Sequence, residues 1–177
     1  MSTASKKIKF DAVLTRFSSE YAHHFVPVTK EIADSFKFEK GSRRIVCTLN
    51  GTETFPCALM PYDGAFFLMV NKSVRTRLGI EAGDTVSVEL AKDESKYGMP
   101  MPEEFQEVLD QDAEGDRLFH ALTPGKQRSM LYFIGKFKDI DRRIHTSLIF
   151  LEHLKRNNGK LDHAKLQEDL KRPTFDF

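Results

Sequence analysis

The chain has no tryptophan, and only two of its 177 residues are cysteines. So few cysteines exclude a disulfide-built scaffold. With no CxxC pair and no H-E-x-x-H, the recognisable zinc spacings are excluded too. His145, His153 and His163 do not fall at the four-residue spacing of a helical metal pair, and His23 and His24 point opposite ways on an extended piece. No apolar run reaches the length of a membrane span, and the opening MSTASKKIKFD lacks the apolar stretch of a secretory signal. A cytoplasmic location without membrane contact is the expectation. Phosphate loops of the Walker and GxGxxG kinds, and the G-x-S-x-G nucleophile turn, are also missing. No residue is nominated as catalytic, and neither metal nor cofactor is expected; the chain reads more readily as a non-enzyme.

Charge of one sign is lacking as well. The net charge is +1, but its distribution is uneven: +2 over residues 1–91, −6 over 92–117 and +5 over 118–177. Nonspecific nucleic-acid binding needs a strongly basic domain, and the first segment is not one. Nucleic acid is therefore a disfavoured partner.

What is present is a chain long enough to bury a substantial core, its aromatic content dominated by 15 phenylalanines. The first half alternates like strands. IKFDAVLTRF (8–17) places Ile8, Phe10, Ala12 and Leu14 on one side, and HFVPV (24–28) is a short extended piece. TKEIADSF (29–36) fits a brief helix capped by Thr29. RRIVCTLNGTETFPCALMP (43–61) is the clearest hairpin. A two-residue Asn50-Gly51 turn would set Cys47 opposite Thr54 and Cys57 opposite Arg44, on opposite faces. AFFLMV (65–70) is apolar throughout and is expected to be the most buried strand, with Phe55, Phe66 and Phe67 in the core. Asn71 caps a helix that stops at Gly79, and TVSVEL (85–90) directs Val86, Val88 and Leu90 to one face.

The period then changes. KDESKYGMPMPEEF (92–105) has the composition of a linker, and helices follow near 103–110 and 114–122. After a break at Thr123-Pro124-Gly125, the run 126–156 repeats Met130, Phe133, Ile134, Phe137, Ile140, Ile144, Leu148, Leu151 and Leu154 at spacings of three and four. That is one amphipathic helix, or two broken near Lys138. A more polar helix covers 160–172, ended by Pro173. The expected class is α+β: a small barrel domain over 1–91, an acidic linker with a first helix over 92–117, and a helical segment over 118–177.

The stretch LGIEAGDTVSVEL (78–90), with its GD corner, resembles the wording of AbrB-like barrels, some of which bind DNA through exchanged strands. Together with the NG hairpin and NKSVRTRLG, residues 43–90 resemble a bacterial domain of unknown function with a double-split β-barrel fold. YFIGKFKDIDRRI resembles the YdeI/OmpD-associated family, also labelled bacteriocin protection. Gly135-Lys136 and Arg142-Arg143-Ile144 fit that pattern, while Asp139 and Ile140 stand where the family usually has Thr and Arg. The resemblance implies a barrel followed by a helical segment, completed within one chain and hence monomeric. Its label implies a stress or envelope setting and no reaction.

Two basic groups are candidate anion sites. Lys72, Arg75 and Arg77 lie on the helix that opens at Asn71, where free amides attract negative charge. Lys136 and Arg143, seven apart, would share a helix face with Arg142 about a hundred degrees round. This second group suits docking on the acidic segment within the chain, or an acidic partner. The GD corner, in contrast, suits a structural turn: Gly79 and Gly83 supply the conformations and Asp84 bonds its own backbone. The expected role is a non-catalytic binding or interaction module for an unknown protein or a small anionic ligand. The alternatives are a nucleic-acid-associated regulator and an enzyme with its site in a cleft between the two halves.

Overall fold

The computed structural model describes residues 5–18, 23–38 and 42–173. It divides into two compact units, Met1–Glu94 and Ser95–Phe177.

The first unit holds β1 (Lys7–Val13), β2 (Thr15–Arg16), β3 (His24–Val28), α1 (Lys30–Asp34), β4 (Arg44–Leu49), β5 (Glu53–Ala58), β6 (Met60–Tyr62), β7 (Ala65–Met69), α2 (Lys72–Leu78) and β8 (Thr85–Lys92). These strands form two antiparallel four-stranded sheets, ordered β1-β8-β4-β5 and β2-β3-β7-β6. One apolar cluster serves both, with Leu14, Val26, Ile45, Leu68 and Val88 fully buried. Alternation explains the layout. Val86, Val88 and Leu90 of β8 point inward while Thr85, Ser87 and Glu89 stay outside, and Glu89 there accepts from Lys7 and Lys9 at 3.1 and 3.3 Å.

The GD corner acts as a turn. Gly79 ends α2 in the left-handed region, with φ 63° and ψ 35°. Asp84 Oδ2 accepts from the Glu81 amide at 2.8 Å. The corner is stapled to the first strands: Gly83 N–H donates to Leu14 O at 2.8 Å, and Leu14 N–H to Asp84 O at 2.9 Å.

The hairpin departs from the sequence reading by one residue. Its loop is Asn50-Gly51-Thr52, so Leu49 faces Glu53, Cys47 faces Phe55 and Ile45 faces Cys57. The turn is widened because Asn50, at φ 49°, is itself tied to β8. Its Oδ1 accepts from Ser87 N–H and its N–H donates to Ser87 O, both at 2.9 Å. A one-residue shift reverses side-chain parity. Cys47 and Cys57 therefore share the inner face instead of lying on opposite faces, and both are free thiols. Burial is the first cause of their raised pKa values, with Cys57 pushed up to about 12.

β7 is not the most buried strand. Leu68 alone of its five residues is buried, and Met69 is 37% exposed. β4 and β8 lie inside their sheet and bury alternate residues fully, whereas β7 turns one face away from the core. Phe67 lies on that face rather than in the core, in edge-to-face contact with Phe17, Phe25 and Tyr62. Phe55 and Phe66 do pack against the core.

The second unit is helical: α3 (Glu103–Gln111), α4 (Ala113–His120), α5 (Pro124–Gly135), α6 (Ile140–Arg156) and α7 (His163–Asp169). The segment before α3 is no free linker, because Tyr97, Met99 and Met101 pack on the helical core. Tyr97 Oη donates to His120 Nε2 at 2.7 Å, while His120 Nδ1–H reaches Asp116 O at 2.9 Å. Thr123-Pro124-Gly125 starts α5 rather than merely breaking the chain, with proline in the first turn where its missing N–H costs nothing. The run 126–156 is two helices. The break at 136–139 resets the helical phase, so α6 turns Ile149, Phe150, Leu151, His153 and Leu154 inward, while Ile140 and Leu148 are 59% and 42% exposed. No helix among the described residues is long and apolar enough to cross a membrane.

Candidate ligand cleft

Neither basic group read from the sequence stands as a single cluster. On α2 the Asn71 side chain already accepts from the Val74 amide at 2.9 Å. Arg77 Nε pairs with Glu53 at 3.0 Å and its Nη1 donates to Ser73 Oγ at 2.6 Å, whereas Arg75 Nη1 lies 3.5 Å from His24 Nε2. Lys72 is exposed, and the three do not converge on one point.

In the second group, Lys136 and Arg143 do not share a helix face, because the chain leaves helical geometry between them. Arg143 folds back onto that break. Its Nε donates to Phe137 O at 2.6 Å, and Nη1 reaches Glu104 at 3.4 Å. This is the pairing with the acidic segment that block charge suggested, made by Arg143 within the helical unit. Lys136 and Arg142 instead lie over aromatic rings: Lys136 Nζ is 3.9 Å from the Phe133 centroid, and the Arg142 guanidinium 4.4 Å from that of Phe137. Among the described residues Arg142 has no carboxylate partner.

Arg142 opens onto a cleft between α5, α6 and α7. Two adjoining cavities share Phe133, Gln167 and Leu170. The inner one, of about 140 Å³, is walled mainly by apolar side chains, among them Met130, Phe150, Leu161 and Leu166. The outer one, of about 360 Å³, is lined by Phe137, Arg142, His145, Thr146, Lys171 and Arg172. Positive charge thus lines one cavity and apolar surface the other. Two of the cations are already paired, Lys171 with Glu168 and Arg172 with Glu152, each at 2.8 Å.

The third wall depends on how α7 is held. His153 of α6 is fully buried. Its Nε2 accepts from the Asp162 amide at 3.1 Å, which leaves the ring proton on Nδ1 to donate to Asp169 Oδ2 at 2.9 Å. Asp162 also caps α7 by accepting from Lys165 N–H at 3.1 Å. That bond comes first in holding the Asp162 carboxyl below its ordinary pKa.

Lys171, Arg172, His145 and the network of His153 were all missed by sequence reasoning. The partners of Arg172 and His153 lie on or beside another helix, and Lys171 and His145 meet at the cleft only once α6 and α7 pack. No group of three or more metal-ligating side chains occurs among the described residues.

Two family models match, in the order read from the sequence. Residues 10–90 match a domain of unknown function (DUF1905), and residues 99–157 match the family described as bacteriocin-protection, YdeI or OmpD-associated. The two matched segments fall one in each compact unit, with sheets in the first and helices in the second. No curated protein matches the chain significantly. The second match ends before α7, so one wall of the cleft comes from residues beyond it.

Proposed function

We propose that the protein is a non-catalytic binding module that takes a small anion at the mouth of the α5–α7 cleft. The observation that carries this is the Arg142 guanidinium, seated on Phe137, without a carboxylate partner among the described residues and facing a cavity that Lys171 and Arg172 also line. A planar guanidinium held on an aromatic ring keeps its fork of donors free for carboxylate or phosphate. Lys136 sits on the Phe133 ring without lining the cavity, Arg143 holds the backbone at Phe137, and the α2 group of Lys72, Arg75 and Arg77 takes no part.

The two sheets around one core support the double-split barrel reading of the first unit, and a monomer is part of the same proposal. Action in the cytoplasm, within a stress or envelope response, is the finer reading of the family description.

The test is a thermal-shift panel of inorganic phosphate, sulfate and short carboxylates on the full chain, with a DNA duplex as control. Stabilisation at a hundredfold excess over Kd is about 2.7 kcal/mol. The expected result is a shift with one or more small anions that Arg142→Gln abolishes. Salt-sensitive DNA retention at physiological ionic strength, with no shift from small anions, would replace this reading by the regulator reading.

A further inference from the structure

We infer that the ligand of this cleft is an aryl-substituted carboxylate, whose ring enters the inner cavity while its carboxylate meets Arg142. The inference rests on the anion reading above and adds a second point of recognition. The two cavities share Phe133, Gln167 and Leu170 in their walls and both open to solvent, so one molecule laid across those residues can reach both. Its volume is about 140 Å³. An apolar cavity of about 150 Å³ is the size that stays dry and accepts benzene. One ring matches that volume.

The surroundings favour an aromatic guest. Phe133 stands edge-on to Phe150, with centroids 5.8 Å apart, and both line the inner cavity. A ring placed against them can adopt the same edge-to-face geometry. Met130 adds a thioether, which packs well at ring edges. The mouth favours a single negative charge over a polyanion: of the three cations lining it, Lys171 and Arg172 are already paired with Glu168 and Glu152, and among the described residues Arg142 alone has no carboxylate partner. A phosphate would also face the repulsion of those two carboxylates, whereas a monocarboxylate matches one guanidinium.

The experiment is an amide-resolved NMR titration of the full chain with propionate, 3-phenylpropionate and 3-phenylpropanamide. Gln167→Trp is the partner variant. Gln167 is exposed and lines both cavities, so an indole there blocks a ligand from lying across them. The expected result is 3-phenylpropionate binding at least about tenfold more tightly than propionate, with the amide weaker than the acid. Shifts should centre on residues 130–133 and 163–171, and Gln167→Trp should remove the advantage of the ring while the melting temperature holds. Equal affinity for propionate and 3-phenylpropionate overturns the aryl assignment and leaves the anion reading standing. No binding by either carboxylate overturns the aryl-carboxylate assignment, and the anion reading falls with it only if phosphate and sulfate also give no shift. Ring-dependent shifts confined to the first unit also overturn this assignment.

Discussion

The Nδ1–H of His153 donates to Asp169 Oδ2 at 2.9 Å, joining the inner face of α6 to the last turn of α7. On the other side of the ring, Nε2 accepts from the Asp162 amide just before α7 begins. One imidazole therefore clamps both ends of a short helix whose only fully buried apolar residue is Leu166. Removing it takes a partner from a half-buried carboxylate and from an amide together. His153→Ala is expected to destabilise the second unit by about 1–3 kcal/mol. Paired with Asp169→Asn in a double-mutant cycle, it should show coupling, because the two side chains form one bond. Additive losses by denaturant unfolding would show that the clamp contributes nothing as a pair.

Gly115 marks the closest approach of α4 to α6. A Cβ at that position would lie 2.7 Å from Leu151 Cδ1 and 2.8 Å from Asp112 Oδ2. Leu151 is fully buried and Asp112 is fixed by its own hydrogen bonds, so neither can retreat cheaply. Alanine normally favours a helix over glycine by up to about 1 kcal/mol. Here the clash should win, and Gly115→Ala should lower stability by about 1–3 kcal/mol. An unchanged or raised melting temperature would mean that the two helices separate freely.

Asp112 gives the second unit an acid-sensitive joint. Burial alone would raise its carboxyl, but the ammonium of Lys155 and the amides of Gly115 and Glu114 outweigh that and hold it below the ordinary 3.8. A depressed folded-state pKa contributes stability above the unfolded value, and that contribution is lost as pH falls through the folded one. Stability should therefore be level near neutrality and decline below about pH 3.8. Asp112→Asn should flatten this decline while lowering stability at pH 7. Urea melts of both proteins across pH 2–7 would show the difference, and parallel curves would discount the joint.

Much of the first unit was legible because its side chains alternate and its helix ends are chemically marked. Asn71 and Gly79 bound α2 as read, and Thr29 caps α1. The hairpin register was not legible, since it depends on Asn50 reaching across to Ser87, thirty-seven residues away. The apolar stripe of the second unit misled for a related reason. Spacings of three and four continue through Phe137 and Ile140, yet the backbone between them leaves the helix and the phase restarts. Composition marked 92–105 as a linker because prolines and acids outnumber Tyr97, Met99 and Met101, whose packing on the helices no short window reveals. At the cleft, Arg142 was visible as a charge but its isolation was not, since that follows from Arg143 taking Glu104 instead.

Because α7 supplies both the third wall of the cleft and the partner of His153, the pocket and the clamp are one object. Whenever α7 lifts away, the cavity ceases to exist, and any occupant must leave or bar the way. An occupant and His153 therefore stabilise the same seven residues, and ligand binding should raise the protection of α7 above that of the helices around it.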